Sequence, residues 1–166
     1  MTEKLKITFI CTGGTIDKDY ASCAGTYNFD IMDPAVGVIL ERVNPNFEYE
    51  IKSVLKKDSL DMDDNDRQKV FDECSKTENN KIIITHGTDT MVNTAEKLKT
   101  IKKKVIILVG AAKPEKFHDS DAAFNIGTSV GAINILDNGI YITMNGRIYP
   151  WDQVKKNKDT GQFQDT

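Results

Sequence analysis

Two stretches of this chain share one pattern, and that pattern restricts the fold to very few classes. Leu5–Cys11 and Lys81–Thr85 are short runs dominated by β-branched and apolar residues. Each stops abruptly, the first in Thr12-Gly13-Gly14-Thr15-Ile16 and the second in His86-Gly87-Thr88-Asp89-Thr90. A short, continuously apolar run reads as a strand buried on both faces, which is the habit of a parallel sheet. After the second run a helical period begins, so a strand delivers a hydroxyl, a carboxylate and a flexible turn to the mouth of a helix. In open parallel sheets, ligands collect beyond the carboxyl ends of the strands. Two such ends predict one site.

The remaining pattern fits the same class. Residues 17–33 carry charge, Gly25 and three aromatics (Tyr20, Tyr27, Phe29) with no period, and read as a long loop of the kind that forms lids or binding loops. Asp33-Pro34 marks a helix start, with Asp as N-cap and Pro at the first helical position; Val36, Ile39, Leu40 and Val43 form its apolar stripe. Phe47–Leu55 reads as a second strand. An acidic turn at Asp58–Asp64 leads into a helix to Ser75, capped by Asp63 or Asp64. Thr90–Thr100 is the helix after Lys81–Thr85, and Val105–Val109 the fourth strand. Asp119–Leu136 reads as a helix whose Gly127 and Gly131 allow close packing on the sheet. Gly139–Met144 and Arg147–Trp151 form a hairpin about Asn145-Gly146. By composition alone the polar tail, Asp152–Thr166, is frayed. The expected fold is α/β, a three-layer sandwich with a mainly parallel sheet flanked by helices and a hairpin at one edge.

At 166 residues the chain fits one domain and can bury about two-thirds of its unfolded surface without metal or disulfide. Lys and Arg number 22 against 25 Asp and Glu, for a net charge of −3, so no electrostatic footprint for nucleic acid is present. The longest apolar run, Val105–Ala112, falls far short of the ~20 residues of a membrane span. Cys11, Cys23 and Cys74 match no metal spacing, and no signal-peptide apolar core precedes the first strand. These features lead to the expectation of a reduced, cytoplasmic protein.

Thr12–Ile16 is neither a phosphate loop nor a dinucleotide fingerprint. Glycines beside threonines instead let a substrate approach the backbone and leave N–H groups for an oxyanion. A threonine there is a nucleophile only if a partner removes its proton; otherwise the segment is a plain turn. Asp89 either caps the following helix or meets a substrate ammonium. His86 follows a strand core without an orienting partner and reads as structural, and His118 receives no role.

The two strand ends together carry a resemblance. The chain resembles the bacterial-type L-asparaginase family, whose two signatures read here as Thr12-Gly13-Gly14-Thr15-Ile16 and His86-Gly87-Thr88-Asp89-Thr90. Asp58–Asp64, Val109–Pro114 and Ser120–Asn125 agree with it. The likeness runs from Lys6 to about Phe163 and covers the family's N-terminal domain, so residues 1–166 are expected to form one such domain without the family's C-terminal one.

That resemblance implies roles. Thr12 is the nucleophile toward the side-chain amide of L-asparagine, with L-glutamine as the alternative substrate. Tyr27 is its activator on the loop, with Tyr20 the runner-up. Thr88, Asp89 and Lys156 form a proton-relaying triad, Lys155 and Lys158 being alternatives for the lysine. Ser59 takes the substrate α-carboxylate, Asp89 the α-ammonium, and Gly13 and Gly87 line the substrate. Leu60 stands where the family has glutamine and can contribute only its backbone. No metal or organic cofactor is implied, and the family's symmetric oligomers imply a homodimer or larger homo-oligomer. If Lys156 belongs to the triad, the polar tail is ordered over the site.

Overall fold

The computed structural model describes residues 4–21 and 28–166. Strands β1 (Lys6–Gly13), β4 (Glu48–Lys57), β5 (Lys81–Thr85), β6 (Val105–Val109), β7 (Gly139–Met144) and β8 (Arg147–Pro150) form one sheet in the order β4-β1-β5-β6-β7-β8. All neighbouring pairs run parallel except β7–β8, the edge hairpin. Asn145 and Gly146 both take positive φ, 55° and 78°, as the two-residue turn requires. The chain leaves β1 outward to β4 and then returns past β1 to β5. The direction of winding therefore reverses between β1 and β5, and a crevice opens beyond their carboxyl ends.

Helices α1 (Ala35–Val43) and α4 (Ala122–Ile133) cover one face, and α2 (Asp64–Lys76) and α3 (Met91–Leu98) the other. Val105, Ile107 and Val109 of β6 pack on the α1/α4 side and Ile106 and Leu108 on the α2/α3 side. Burial on both faces explains why these strands read as unbroken apolar runs. Gly127 and Gly131 do not serve close packing on the sheet: a Cβ on either would meet nothing within 4 Å. No helix among the described residues is long and apolar enough to cross a membrane.

The faces also fix handedness. α1 leads outward from β1 on one face, while α2 and α3 lead the opposite way on the other face, so these three crossovers share one hand. α4 moves in the same direction as α3 but lies on the face of α1. About 98% of such crossovers are right-handed; the β6–α4–β7 connection is the exception. On the opposite side of β7, α3 packs against the strand and the tail completes the cover. The tail's strands β9 (Val154–Lys156) and β10 (Phe163–Asp165) pair antiparallel. Val154 and Phe163 are buried in one cluster with Ile140, Ile142, Met144 and Tyr149. Tyr149 Oη donates to the Phe163 carbonyl at 2.8 Å, and the Phe163 N–H to Asn145 Oδ1 at 3.2 Å. The frayed tail expected from composition is thus corrected: two apolar anchors and a few hydrogen bonds order it.

Two further expectations change. The loop at 17–33 contains a short antiparallel pair, β2 (Lys18–Tyr20) and β3 (Phe29–Ile31). And Asp33 does not cap α1. The helix begins one residue later, Pro34 holds the N-cap position without a side-chain bond, and Asp33 pairs with Lys56 at 2.7 Å. The first helical N–H, that of Ala35, donates to Asp17 Oδ1 at 2.8 Å. Asp17 is buried, and burial pushes its carboxyl up to about 7 against the opposing pull of that hydrogen bond.

This arrangement fixes the sign of a pH effect. With its folded value above the usual carboxylate range, Asp17 keeps its proton in the folded state while the unfolded chain loses it, so stability falls as pH rises from about 4 to about 7. Asp17→Asn retains the acceptor for Ala35 and removes the charge. It is expected to match the native protein in urea unfolding near pH 4 and to exceed it by about 2–4 kcal/mol at pH 8. Equal stability at both pH values would contradict the buried-carboxyl assignment.

Candidate active site

The site begins where β1 ends. Thr12 is fully buried, and its Oγ1 donates to the Thr85 carbonyl at 2.9 Å, tying the ends of β1 and β5 across the crevice. Gly13 and Gly14 then turn the chain with φ of 99° and 85°, a region side chains disfavour. The Gly14 N–H donates to the Lys57 carbonyl at 2.9 Å, so this amide is not free for an oxyanion. A Cβ on Gly14 would lie 2.5 Å from the Gly87 nitrogen, and one on Gly87 would lie 2.7 Å from Ser59 Oγ. The turns after β1, β5 and β4 therefore meet at backbone distance.

Ser59 opens the short 3-10 turn Ser59–Asp61 that follows β4. It is buried, and its Oγ has no hydrogen-bond partner among the described residues. Its carbonyl accepts from Thr90 Oγ1 at 2.7 Å, and Arg67 of α2 bridges Thr90 Oγ1 (3.2 Å) and the Met62 carbonyl (3.0 Å). Thr90 and Arg67 bolt the Ser59 turn to the second signature. The sequence held a threonine in the motif but no sign that a distant arginine would meet it. Leu60 points its side chain to solvent at 70% exposure, and its N–H donates to Asp58 Oδ1 at 3.2 Å. Even its backbone donor is engaged within the turn.

Thr88 and Asp89 follow Gly87, ahead of α3. The N-cap position of α3 falls on Thr90, so Asp89 does not cap the helix. Its partner is Lys156, whose Nζ donates to Asp89 Oδ1 at 2.6 Å and to Thr88 Oγ1 at 2.8 Å. With the ammonium donating to Thr88 Oγ1, the threonine's own proton is left to point elsewhere. Lys156 ends β9, and the tail hairpin brings it over the second signature from 67 residues away. Lys155 and Lys158, the alternatives, are exposed. Asp89 is about half exposed and Lys156 about one-quarter.

His86 is fully buried, with Nδ1 2.7 Å from the Gly87 carbonyl and Nε2 2.8 Å from Thr94 Oγ1. A carbonyl only accepts, so Nδ1 carries the proton and Nε2 accepts from Thr94. Burial pushes this imidazole down to about 4; it is a neutral structural group that fixes the Gly87 peptide. Tyr27 lies outside the described residues. Tyr20 is 57% exposed and packs on Phe29 with ring centroids 5.1 Å apart and planes tilted by 45°.

Comparison with known proteins gives the family and the fold. The model of the asparaginase N-terminal domain matches residues 6–164. The chain belongs to the asparaginase family. L-asparaginase 2 of Escherichia coli is 30% identical over 171 residues, covering 93% of this chain and 47% of that protein. A shorter stretch of 69 residues, 40% of this chain, is 46% identical to part of the glutamyl-tRNA(Gln) amidotransferase of Methanococcus vannielii, where it spans 16% of the matched polypeptide. The solved thermostable L-asparaginase of Thermococcus kodakarensis superposes with a TM-score of 0.83 at 24% identity, over 97% of this chain and 51% of that one. The chain thus spans about half the length of the asparaginase-family relatives it matches end to end.

The buried imidazole gives the asparaginase domain a measurable signature. Because the folded value lies below that of the unfolded chain, stability is present above about pH 6.5 and is lost as pH falls toward 4, by about 3 kcal/mol. Replacing the ring in His86→Gln, whose amide offers one donor and one acceptor, should remove that component. The stability difference between native and variant is expected to shrink by about this amount between pH 7 and pH 4. A difference independent of pH would show that the ring is not held neutral.

Proposed function

We propose that this chain carries the catalytic half of an L-asparagine amidohydrolase that releases L-aspartate and ammonia. The observation that carries the proposal is the double hydrogen bond from Lys156 to Thr88 and Asp89, beside the Thr12 turn at the reversal point of the sheet. In this reading a threonine of the first signature attacks the side-chain amide carbon: Thr12, the residue assigned above, whose hydroxyl is buried against the Thr85 carbonyl, or Thr15, the partly exposed threonine of the same turn. Tyr27 or a group it orients takes the threonine proton, and the amide nitrogen leaves as ammonia after protonation. Water, activated through Thr88 and Lys156, then cleaves the acyl-threonine and restores the hydroxyl. The unpartnered Ser59 Oγ supports its assignment to the substrate α-carboxylate, and the half-exposed Asp89 has a second oxygen for the α-ammonium. Gly13 and Gly87 keep the floor of the site clear of side chains. The chemistry proposed uses no metal or organic cofactor.

Two alternatives have specific support. Leu60, in place of the family's glutamine, favours a domain that binds amino acids without hydrolysing them. The local identity with an amidotransferase favours an amidase acting on another amide, L-glutamine among them. A symmetric homodimer or larger assembly of a cytoplasmic enzyme belongs to the same proposal, and light scattering tests the assembly.

Ammonia release from L-asparagine separates these readings. The intact protein is expected to release it, and replacing the nucleophile, tested by Thr12→Ala and Thr15→Ala in turn, to lose it by at least about 10³-fold, while Lys156→Met lowers turnover by about 10²–10⁴-fold. Binding of L-aspartate without any ammonia release by the native chain would exclude the enzyme reading. The loop activator is tested separately. Tyr27→Phe should lower turnover by about 10²-fold while Tyr20→Phe stays near the native rate, and the opposite ranking would move the role to Tyr20.

A further inference from the structure

The segment between β6 and α4 meets the site at Gly110. A Cβ there would collide with the His86 carbonyl oxygen and lie 3.0 Å from Thr88 Cγ2, so the Gly110 backbone is a wall against which the Thr88 side chain rests. The wall is anchored at its upstream side by the sheet, where the His86 N–H donates to the Val109 carbonyl at 2.9 Å.

Its downstream anchor is unusual. Asp121 holds the N-cap position of α4, where an aspartate ordinarily accepts an N–H of the first turn. It makes no such bond; the Ala122 N–H goes to Ser120 Oγ at 3.1 Å instead. The Asp121 carboxylate turns back toward the loop. Both of its oxygens accept from the Ala112 N–H at 3.0 Å, Oδ1 also accepts from the Lys113 N–H at 3.0 Å, and Oδ2 accepts from Asn125 Nδ2 at 2.8 Å. Asn125 is buried, and the same amide nitrogen donates to the Gly110 carbonyl at 3.0 Å. Among the described residues its own Oδ1 has no partner, and the amide is held by its donor side. Charge-assisted bonds of this kind are about twice as strong as neutral ones and fix direction. Here they fix a loop that carries none of the reacting groups assigned above.

We propose that Asp121, acting through Asn125 and the Gly110 carbonyl, is a positioning residue for Thr88. The helix forgoes a side-chain cap, and the gain is a defined Gly110 wall behind the hydroxyl that Lys156 holds. The kinetic consequence rests on the amidohydrolase reading; the geometric one does not.

The test uses the full chain with Asp121→Ala and Asp121→Asn, the second retaining one acceptor oxygen should the first fail to fold. Thermal unfolding confirms that each variant is folded. The methyl resonance of Thr88 is then read by NMR, and kcat and KM for L-asparagine by ammonia release. The expected result is a shifted Thr88 resonance in both variants, larger for alanine. With it kcat falls about tenfold to a hundredfold in Asp121→Ala and less in Asp121→Asn, KM changing by less than about threefold. A Thr88 resonance identical to the native one overturns the proposal and leaves Asp121 a loop anchor only. So does a shifted resonance with native kcat in an active enzyme. Should the native chain release no ammonia, the functional reading fails while the Thr88 resonance still decides the positioning role.

Discussion

The contact on which this architecture turns is made by backbone, where the turns after β1, β4 and β5 close on one another. Gly14 abuts the Gly87 nitrogen, and Gly87 abuts Ser59. At the separations seen, a single methyl group at either glycine would force the turns apart. Packed interiors do not absorb such displacements smoothly, so the opening would be passed to Thr12, Thr88 and Ser59 together. The parallel sheet brings the three strand ends near each other; the glycines let them touch. Around that point lie groups that resist movement: the neutral His86 holding the Gly87 carbonyl, and Thr90 with Arg67 holding the Ser59 carbonyl.

The lysine arrives by a different route. An ion pair as exposed as Lys156–Asp89 contributes little by itself, typically below about 1 kcal/mol, and cannot order a fifteen-residue tail. Val154 and Phe163 can, because each fully buried apolar side chain contributes about 1.5–3 kcal/mol. They bury beside α3 against β7 and β8, on the face that α4 does not occupy, and that burial carries Lys156 to the site.

How much of this was legible in the sequence follows from how local each cause is. The sheet strands are legible because burial on both faces leaves an unbroken apolar run. The start of α2 is legible because Asp63, one of the two candidate caps, lies beside the helix it caps; its reciprocal bond with Asp66 emerges only in the structure. The start of α1 is misread because the carboxylate that meets Ala35 is Asp17, 18 positions away, while the adjacent Asp33 turns to Lys56. The tail is misread because only two of its residues bury, and their partners come from β7 and β8. In the site, Thr12, Thr88 and Asp89 stand out through the motif. Arg67, Asp121 and Asn125 do not: Arg67 meets a threonine hydroxyl and a carbonyl, and the Asp121–Asn125 pair meets the backbone of Gly110, Ala112 and Lys113, all brought near only by the fold.

This distribution separates what holds the site from what would act in it. Burial keeps Thr12 and His86 fixed, and the backbone turns keep Ser59 in register. Thr88, Asp89 and Lys156 remain partly open to water. Electrostatic interactions in such a setting are weakened by solvent, and a hydrolytic mechanism gains from water exclusion. The asymmetry points to the Lys156 side of the crevice, away from the enclosed Thr12, as the place where any covering surface would have its largest effect. A cover there would strengthen the Lys156–Asp89 pair and leave the packing that holds Thr12 untouched. Stability and chemistry would then respond separately to such a cover, because the exposed ion pair contributes little to holding the fold together.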